Sequence, residues 1–382
     1  MWGNRRARNH AVSLGLGALL GLPWLMGTAG VALSPLLVPL VIGRAGASNR
    51  WTSAFGYFMA GSAGIPGSAA TFFGPGHTLL GYLLWLASAT LLALPWAWVS
   101  NGWRAIGVIT LSTVPPLGII SWLSPLTATG IWFPGISWTG LFLVLVMMWM
   151  LGERKRLNIL VMCAISISAN LLYKPPHPPA DWIGVDTHVG PEPNKVLAQY
   201  ARLNTWITQV HQQAQGTNVV VLPETIAANW LDGTRFIISN AVPKGQTWLV
   251  GTTLIDSKGT WDAIALARHG EVSPEPIFKA VLPVPVSMWK PWARDGYAAA
   301  WWPSVHSIGG VRTMAAICYD QLLVWPWLEA LWQRPEIIIA PSNDWWAGRG
   351  SIPTIQTASV KAWGRLMGVA IIGARNRKDE VE

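Results

Sequence analysis

From residue 51 to residue 173 the chain alternates between long apolar stretches and short breaks. Residues 51–73, 78–100, 105–123, 136–151 and 157–173 contain no charged side chain. Each comes close to the roughly 20 apolar residues that a helix needs to cross a bilayer. The breaks are rich in Gly, Pro or charge: Gly74-Pro75-Gly76-His77, residues 101–104, residues 124–135, and Gly152-Glu153-Arg154-Lys155-Arg156. Residues 10–42 are also apolar, too long for one simple span and slightly short for two.

Charge decides that case. Nine of the 27 basic residues, but only Glu153 of the 18 acids, precede Lys174. Lys and Arg favour cytoplasmic loops. If residues 10–42 form two short spans turning near Gly27–Gly30, an inside N-terminus puts all nine basic residues on the cytoplasmic side. The outer loops at about 28–30, 74–77 and 124–135 then hold no Lys or Arg. A single long span would misplace Arg44, Arg50, Arg104 and 154–156. Seven spans are expected, with the chain after Lys174 outside the cytoplasm. The basic start before an apolar run has the form of a signal peptide, but the later spans favour a retained first helix. Gly17 and Gly21 have the spacing that lets helices approach closely. Many of the 26 Trp residues suit the membrane interface.

Beyond Lys174 the pattern changes. Residues 174–180 are a stiff Pro-rich linker. Residues 194–215 read as an amphipathic helix, and 218–222 as a short buried strand ending at Pro223-Glu224. Residues 247–254 and 262–268 read as neighbouring strands around a Ser-Lys-Gly turn. Further strands at 311–317 and 336–340, a helix at 353–366 and a strand at 368–372 complete an α/β layer pattern.

Composition agrees with this division. Only 12% of residues are charged and 51% are hydrophobic, against about a quarter charged in ordinary soluble domains. The net charge of +9 and the pI near 9.8 lie almost wholly in the apolar half. Topology therefore accounts for the excess, and nucleic-acid binding is not expected. Of the two cysteines, Cys163 lies in an apolar run and Cys318 in the polar half, so no disulfide between them is expected. The seven His residues show no HxxxH pair and there is no Cys-x-x-Cys, which argues against a metal site. Neither a G-x-S-x-G elbow nor a P-loop occurs, and no cofactor is implied.

Three reactive residues stand at strand ends, where rigid backbone delivers a side chain to an open edge. They are Glu224, Lys279 in Pro-Ile-Phe-Lys-Ala-Val-Leu-Pro, and Cys318 in Ala-Ala-Ile-Cys-Tyr-Asp. A thiol at a strand-to-helix turn gains a lowered pKa from the helix N-terminus. A glutamate can take and return its proton. An ammonium and backbone N–H groups can hold an oxyanion. A fourth segment, 338–346, is a strand running into the polar Ser342-Asn343-Asp344.

The order Pro-Glu, Lys, Cys-Tyr-acid, Ser-Asn-Asp-x-Trp resembles the nitrilase (carbon–nitrogen hydrolase) superfamily. With the spans before it, the chain is similar to apolipoprotein N-acyltransferases and most similar to the TraB family of conjugative plasmids. The resemblance implies an N-terminal polytopic α-helical membrane domain (1–173), then the linker (174–180), an αββα nitrilase-like sandwich (181–377) and a polar tail (378–382). It also implies a Glu224–Lys279–Cys318 triad passing through a thioester, with Tyr319, Asp320 and Asn343 supporting it. The acyltransferases carry a further Glu after the lysine, in Pro-Phe-Gly-Glu. Here residues 281–289 hold no acid.

The leading expectation is an acyl-transfer or amide-processing enzyme of the bacterial inner membrane, with its catalytic domain in the periplasm. Its substrate would be a membrane lipid or a lipidated or peptide compound, and conjugation components are its expected partners. Residues 281–292, with Trp289 and Trp292, could cover that substrate or pack on the bilayer surface. Lipoprotein N-acylation itself and a non-catalytic assembly role stay open.

Overall fold

The computed structural model describes residues 2–273, 275–347 and 350–378. The polar tail expected at 378–382 lies, past Lys378, outside the described residues. Contacts divide the chain into two units. The first contains the chain up to Pro175 together with Leu322–Leu331 and the helix Ile352–Met367. The second contains Pro176–Gln321, the strand Ile337–Asn343 and the strand Ala370–Asn376.

The first unit is helical throughout. Its helices are α1 (Trp2–Gly21), α2 (Thr28–Leu33), α3 (Leu37–Ile42), α4 (Ala47–Gly61), α5 (Ile65–Phe73), α6 (Thr78–Ala93), α7 (Gly102–Leu111), α8 (Thr129–Trp132), α9 (Ser137–Gly152) and α10 (Arg156–Leu172). The chain does turn at Gly27, whose φ of +67° is one that glycine adopts without strain. Gly17 and Gly21 do serve close packing. A Cβ on either would fall 1.9 Å from the Ser53 carbonyl oxygen or 2.2 Å from that of Tyr57, both on α4.

Two expected spans are not continuous helices. Residues 51–73 break at Ser62–Gly64 between α4 and α5, and Pro66 opens α5, where its missing N–H is not needed. Residues 105–123 stop being α-helical at Leu111, because Pro115 and Pro116 cannot donate to the preceding turn. Among the described residues one helix, Thr78–Trp98 of 21 residues, can cross a bilayer by length and apolar character. A second candidate is the pair Pro125–Trp132 and Ser137–Gly152, bent by 119°.

The second unit is two stacked sheets with one helical layer. It contains β1 (Trp182–Gly184), α11 (Val196–Gln213), β2 (Val219–Val221), α12 (Asp232–Ala241), β3 (Thr247–Asp256), β4 (Gly259–Arg268), β5 (Glu271–Val272), β6 (Phe278–Lys279), β7 (Val305–Ile308) and β8 (Val311–Ala315). The chain then forms α13 (Trp325–Gln333), β9 (Ile337–Asn343), α14 (Ile352–Met367) and β10 (Ala370–Asn376). One sheet runs β1-β2-β3-β4-β5, with β6 also paired to β4; the other runs β10-β9-β8-β7.

Strand periodicity builds two cores from one sheet. Val219, Val221, Leu249 and Ile264 face the second sheet, where they meet Ile317, Ile337, Ile339 and Ile372. The intervening Val220, Trp248, Val250, Ala263 and Ala265 face Leu203, Trp206 and Val210 of α11 and Ile238 of α12. A sheet buried on both faces needs uninterrupted apolar runs, which is what residues 219–222 and 263–267 are. The αββ part of the implied sandwich is thus present in the second unit. Its remaining helices, α13 and α14, belong by contact mainly to the first unit.

Candidate active site

Two turns bring the thiol and a carboxylate together. After β2 the chain passes through Pro223 to Glu224, directly over β3. A Cβ at Gly251 of β3 would lie 2.0 Å from the Pro223 oxygen and 2.7 Å from the Glu224 Cα, so only glycine admits this crossing. After β8 the chain enters a short 3₁₀ turn, Cys318–Leu322. Cys318 begins it with φ +43°. A non-glycine residue there stores about 1 kcal/mol or more of strain, and such strain at a reactive side chain marks a site.

Glu224 and Cys318 are each 4% exposed, and their side chains are hydrogen-bonded to each other. The Asn343 backbone N–H donates to Glu224 Oε2 at 2.9 Å. Asn343 is itself held, its Nδ2 donating to Thr225 Oγ1 at 3.0 Å and its Oδ1 accepting from Asn376 Nδ2 at 2.9 Å. Burial pushes the Glu224 carboxyl up to about 7, with Asp344 adding to the rise while hydrogen bonds from Asp262, Cys318 and Asn343 oppose it. At that value the group can both accept and return a proton near neutrality.

Asp320 serves the turn. Its carboxylate accepts the N–H groups of Val281 at 3.0 Å, Leu282 at 2.9 Å and Ile317 at 3.2 Å. It therefore ties the strand before Cys318 to the segment after β6. Burial raises its carboxyl to about 8 in spite of those donors. Residues 283–299 leave this point as a loop whose base is closed by Ala300 N–H to Ala280 O (3.1 Å) and Trp301 N–H to Val281 O (2.9 Å). Trp289 of this loop packs edge-on to Trp301 at its base, at 5.7 Å between ring centroids. Trp292 is largely exposed, whereas Tyr319, beside the thiol in sequence, is buried.

Lys279 is not brought to the thiol. Its ammonium lies 3.4 Å from Asp256 Oδ2 and 3.8 Å above the centroid of the Trp261 ring. The cause is strand alternation. Phe278 and Ala280 point into the core between the sheets, so the side chain between them points away. Burying Phe278 contributes about 2–3 kcal/mol. A partly exposed ion pair contributes at most about 1 kcal/mol, so the core decides the register. Asp256 meanwhile closes the β3–β4 hairpin, accepting from Lys258 N, Gly259 N and Trp261 Nε1.

The thiol also departs from expectation. Instead of being lowered, its pKa is pushed well up, first by burial and then by Glu224, Asp344 and Asp262. A turn this short offers little dipole against so many carboxyl groups.

Two neighbours, Asp262 and Tyr297, escape the sequence reading, and a third, Asp344, enters it only as part of a polar loop. Asp262, 2% exposed, shares a hydrogen bond with Glu224, and burial together with that glutamate raises its carboxyl well above the usual range. Asp344 lies 3.7 Å from Arg375 Nε. Tyr297 feels the charge of the same carboxyl pair from the loop, and its hydroxyl lies 3.0 Å from Thr253 Oγ1. The legible signal for Asp262 is a lone acid heading the apolar run Ala263–Ala267 of a strand. Tyr297 has no such signal.

No protein-family model matches the chain. Among solved structures it is similar to a cysteine-to-alanine mutant of the nitrilase-superfamily amidase from Nesterenkonia AN1, at 15% identity and TM-score 0.38, over 51% of this chain and 74% of that one. A glutamine-dependent NAD+ synthetase from Acinetobacter baumannii is similar at 12% identity and TM-score 0.33, over 42% and 31% of the two chains. The curated relatives are nearer. A probable conjugal transfer protein TraB from Sinorhizobium fredii is 30% identical over 374 residues, 91% of this chain and 94% of the relative. The conjugal transfer protein TraB of Agrobacterium fabrum is 32% identical over 358 residues, 84% of this chain and 82% of the relative. Identity at that level, sustained through both the helical and the α/β parts, means that this chain belongs to the TraB family of conjugal transfer proteins.

Proposed function

We propose that the chain is a cysteine-dependent amide-processing or acyl-transfer enzyme that serves conjugative plasmid transfer. The observation that carries this reading is the buried hydrogen bond between the Cys318 thiol and the Glu224 carboxylate. In the step it supports, Cys318 Sγ bonds to a substrate carbonyl carbon while its proton passes to Glu224. Collapse breaks the bond to the leaving group, which takes that proton, and leaves a thioester. Water or an amine then attacks the thioester carbon with proton transfer through Glu224, and the thiol is restored.

The test is thiol labelling of the full chain in mild detergent. Iodoacetamide should modify Cys318 faster than Cys163, and the rate should climb as pH passes about 7, where Glu224 loses its proton. Glu224→Gln should flatten that profile. Equal labelling of wild type and Glu224→Gln would remove Glu224 as the base.

A second reading, a non-catalytic assembly factor that retains the fold, is favoured by one observation: Lys279 is engaged with Asp256 and Trp261. Lipoprotein N-acylation gains no such support.

The same proposal places seven spans in the bacterial inner membrane and the α/β unit in the periplasm. The distribution of Lys and Arg supports it. So do the apolar side chains that the first unit leaves exposed, among them Leu79, Leu83, Leu157, Leu160 and Leu171. Only 28% of the apolar window of Thr78–Trp98 is buried, too little for the core helix of a soluble domain. A reporter active only outside the cytoplasm, fused after Glu382, should therefore be active. Activity of a cytoplasm-only reporter at that site would overturn the orientation.

A further inference from the structure

Asp262 is a poor core residue. It stands on β4 next to Ala263, and apolar side chains follow it along the strand. Its backbone already serves the sheet, since its carbonyl accepts the Ala280 N–H at 2.8 Å. A valine there would pack as its neighbours do. Instead the chain buries a carboxyl group that hydrogen-bonds Glu224 and leaves its Oδ1 buried with no partner. An open buried acceptor is destabilising, because it loses its hydration and gains no bond in return. Stability alone does not explain keeping it.

The pair has a definite chemical demand. Two carboxyl groups in hydrogen-bond contact share one proton, so together they carry one negative charge and one open acceptor beside the thiol. Lys279, the cation expected in the triad, is bound elsewhere, and Arg375 is engaged with Asp344. Among the described residues no three His, Cys, Asp and Glu side chains are placed to hold a metal ion. What fits an open acceptor next to a negative charge is an N–H donor that is itself positive.

We propose that Asp262 Oδ1, together with Glu224, binds the protonated primary amine of the substrate, so that the ligand itself brings a cation to Cys318. The inference rests on Cys318 as nucleophile and adds a substrate class to that reading: a carbonyl compound bearing an ammonium group near the reacting carbon. An ammonium has three N–H donors. Asp262 and Glu224 take two, and the third is free for the oxygen that becomes negative when sulfur attacks. A cation at this distance also favours the thiolate, reversing the effect of the surrounding carboxyl groups. The sequence expectation gave the oxyanion to Lys279 with backbone N–H groups, and the lowering of the thiol pKa to a helix N-terminus.

The test uses the full chain in detergent and three thiosulfonate reagents: aminoethyl (cationic), propyl (neutral, matched to it in size) and sulfonatoethyl (anionic) methanethiosulfonate. Each rate at Cys318 is divided by that reagent's rate with 2-mercaptoethanol. The cationic reagent should outpace the neutral one by about tenfold, with the anionic one slowest, and Asp262→Asn should remove most of that preference. In wild type, ethylammonium should also slow labelling by the neutral reagent while ethanol at equal concentration does not. That readout stands if Asp262→Asn fails to fold. Equal corrected rates for the three reagents, a preference that survives in folded Asp262→Asn, or no protection by ethylammonium would each overturn the inference while leaving Cys318 as nucleophile. No modification of Cys318 by any reagent would overturn the nucleophile reading, and this one with it.

Discussion

Cys318→Ala should reduce plasmid transfer by about three orders of magnitude or more while the protein accumulates normally, since residues that act as one catalytic unit lose nearly everything when one is removed. Glu224→Gln should fall as far. Its amide keeps an oxygen for the Asn343 N–H at 2.9 Å but cannot accept the thiol proton. The contrast is Lys279→Ala. Its ammonium is spent on Asp256 and the Trp261 ring, and partly exposed pairs of this kind contribute at most about 1 kcal/mol. Transfer by Lys279→Ala should therefore stay within about threefold of wild type, the range of a surface substitution. Measured transfer frequencies, normalised to protein level, decide among the readings. Loss in Lys279→Ala equal to that in Cys318→Ala would return the lysine to the oxyanion. Normal transfer by Cys318→Ala would make the chain an assembly factor.

The second large effect is structural. Asp320→Ala removes the single acceptor of three backbone N–H groups, those of Val281, Leu282 and Ile317, in a place with no access to water. Each orphaned donor costs about 1–3 kcal/mol, and partial relaxation brings the total to about 3 kcal/mol. For a domain of this size that corresponds to a fall of about 10 °C in unfolding temperature. Thermal unfolding of the full chain in detergent measures it. Asp320→Asn, which retains one acceptor oxygen, should lose less than Asp320→Ala. Equal stability of wild type and Asp320→Ala would show that the clamp between the Cys318 turn and the segment after β6 does not hold the fold together.

Much of the α/β unit is readable along the chain. Residues 247–254 and 262–268 show their pairing because alternate residues serve two cores and the Ser-Lys-Gly turn joins them; the observed strands are Thr247–Asp256 and Gly259–Arg268. The helix expected at 353–366 is Ile352–Met367. Short elements such as β1, β5 and β7 were missed, because two to four residues cannot show a period. The apolar half misleads differently. Hydropathy counts residues and does not see where Pro66 or Pro115-Pro116 end a helix, so two expected spans are broken.

By itself the sequence determined that reactive groups stand at strand ends, that Glu224 and Cys318 follow apolar strands, and that basic residues far outnumber acidic ones before Lys174. These are local properties of composition and period. Tertiary structure alone decided which of those groups meet. Glu224 reaches Cys318 because Gly251 lets one turn cross β3. Lys279 does not, because Phe278 and Ala280 claim the core and the strand period of two turns the lysine outward. Asp262 joins the glutamate from a different strand of the same sheet. The sign of the thiol's pKa shift followed from that meeting, since burial among carboxyl groups is a property of the assembled site and of no segment within it.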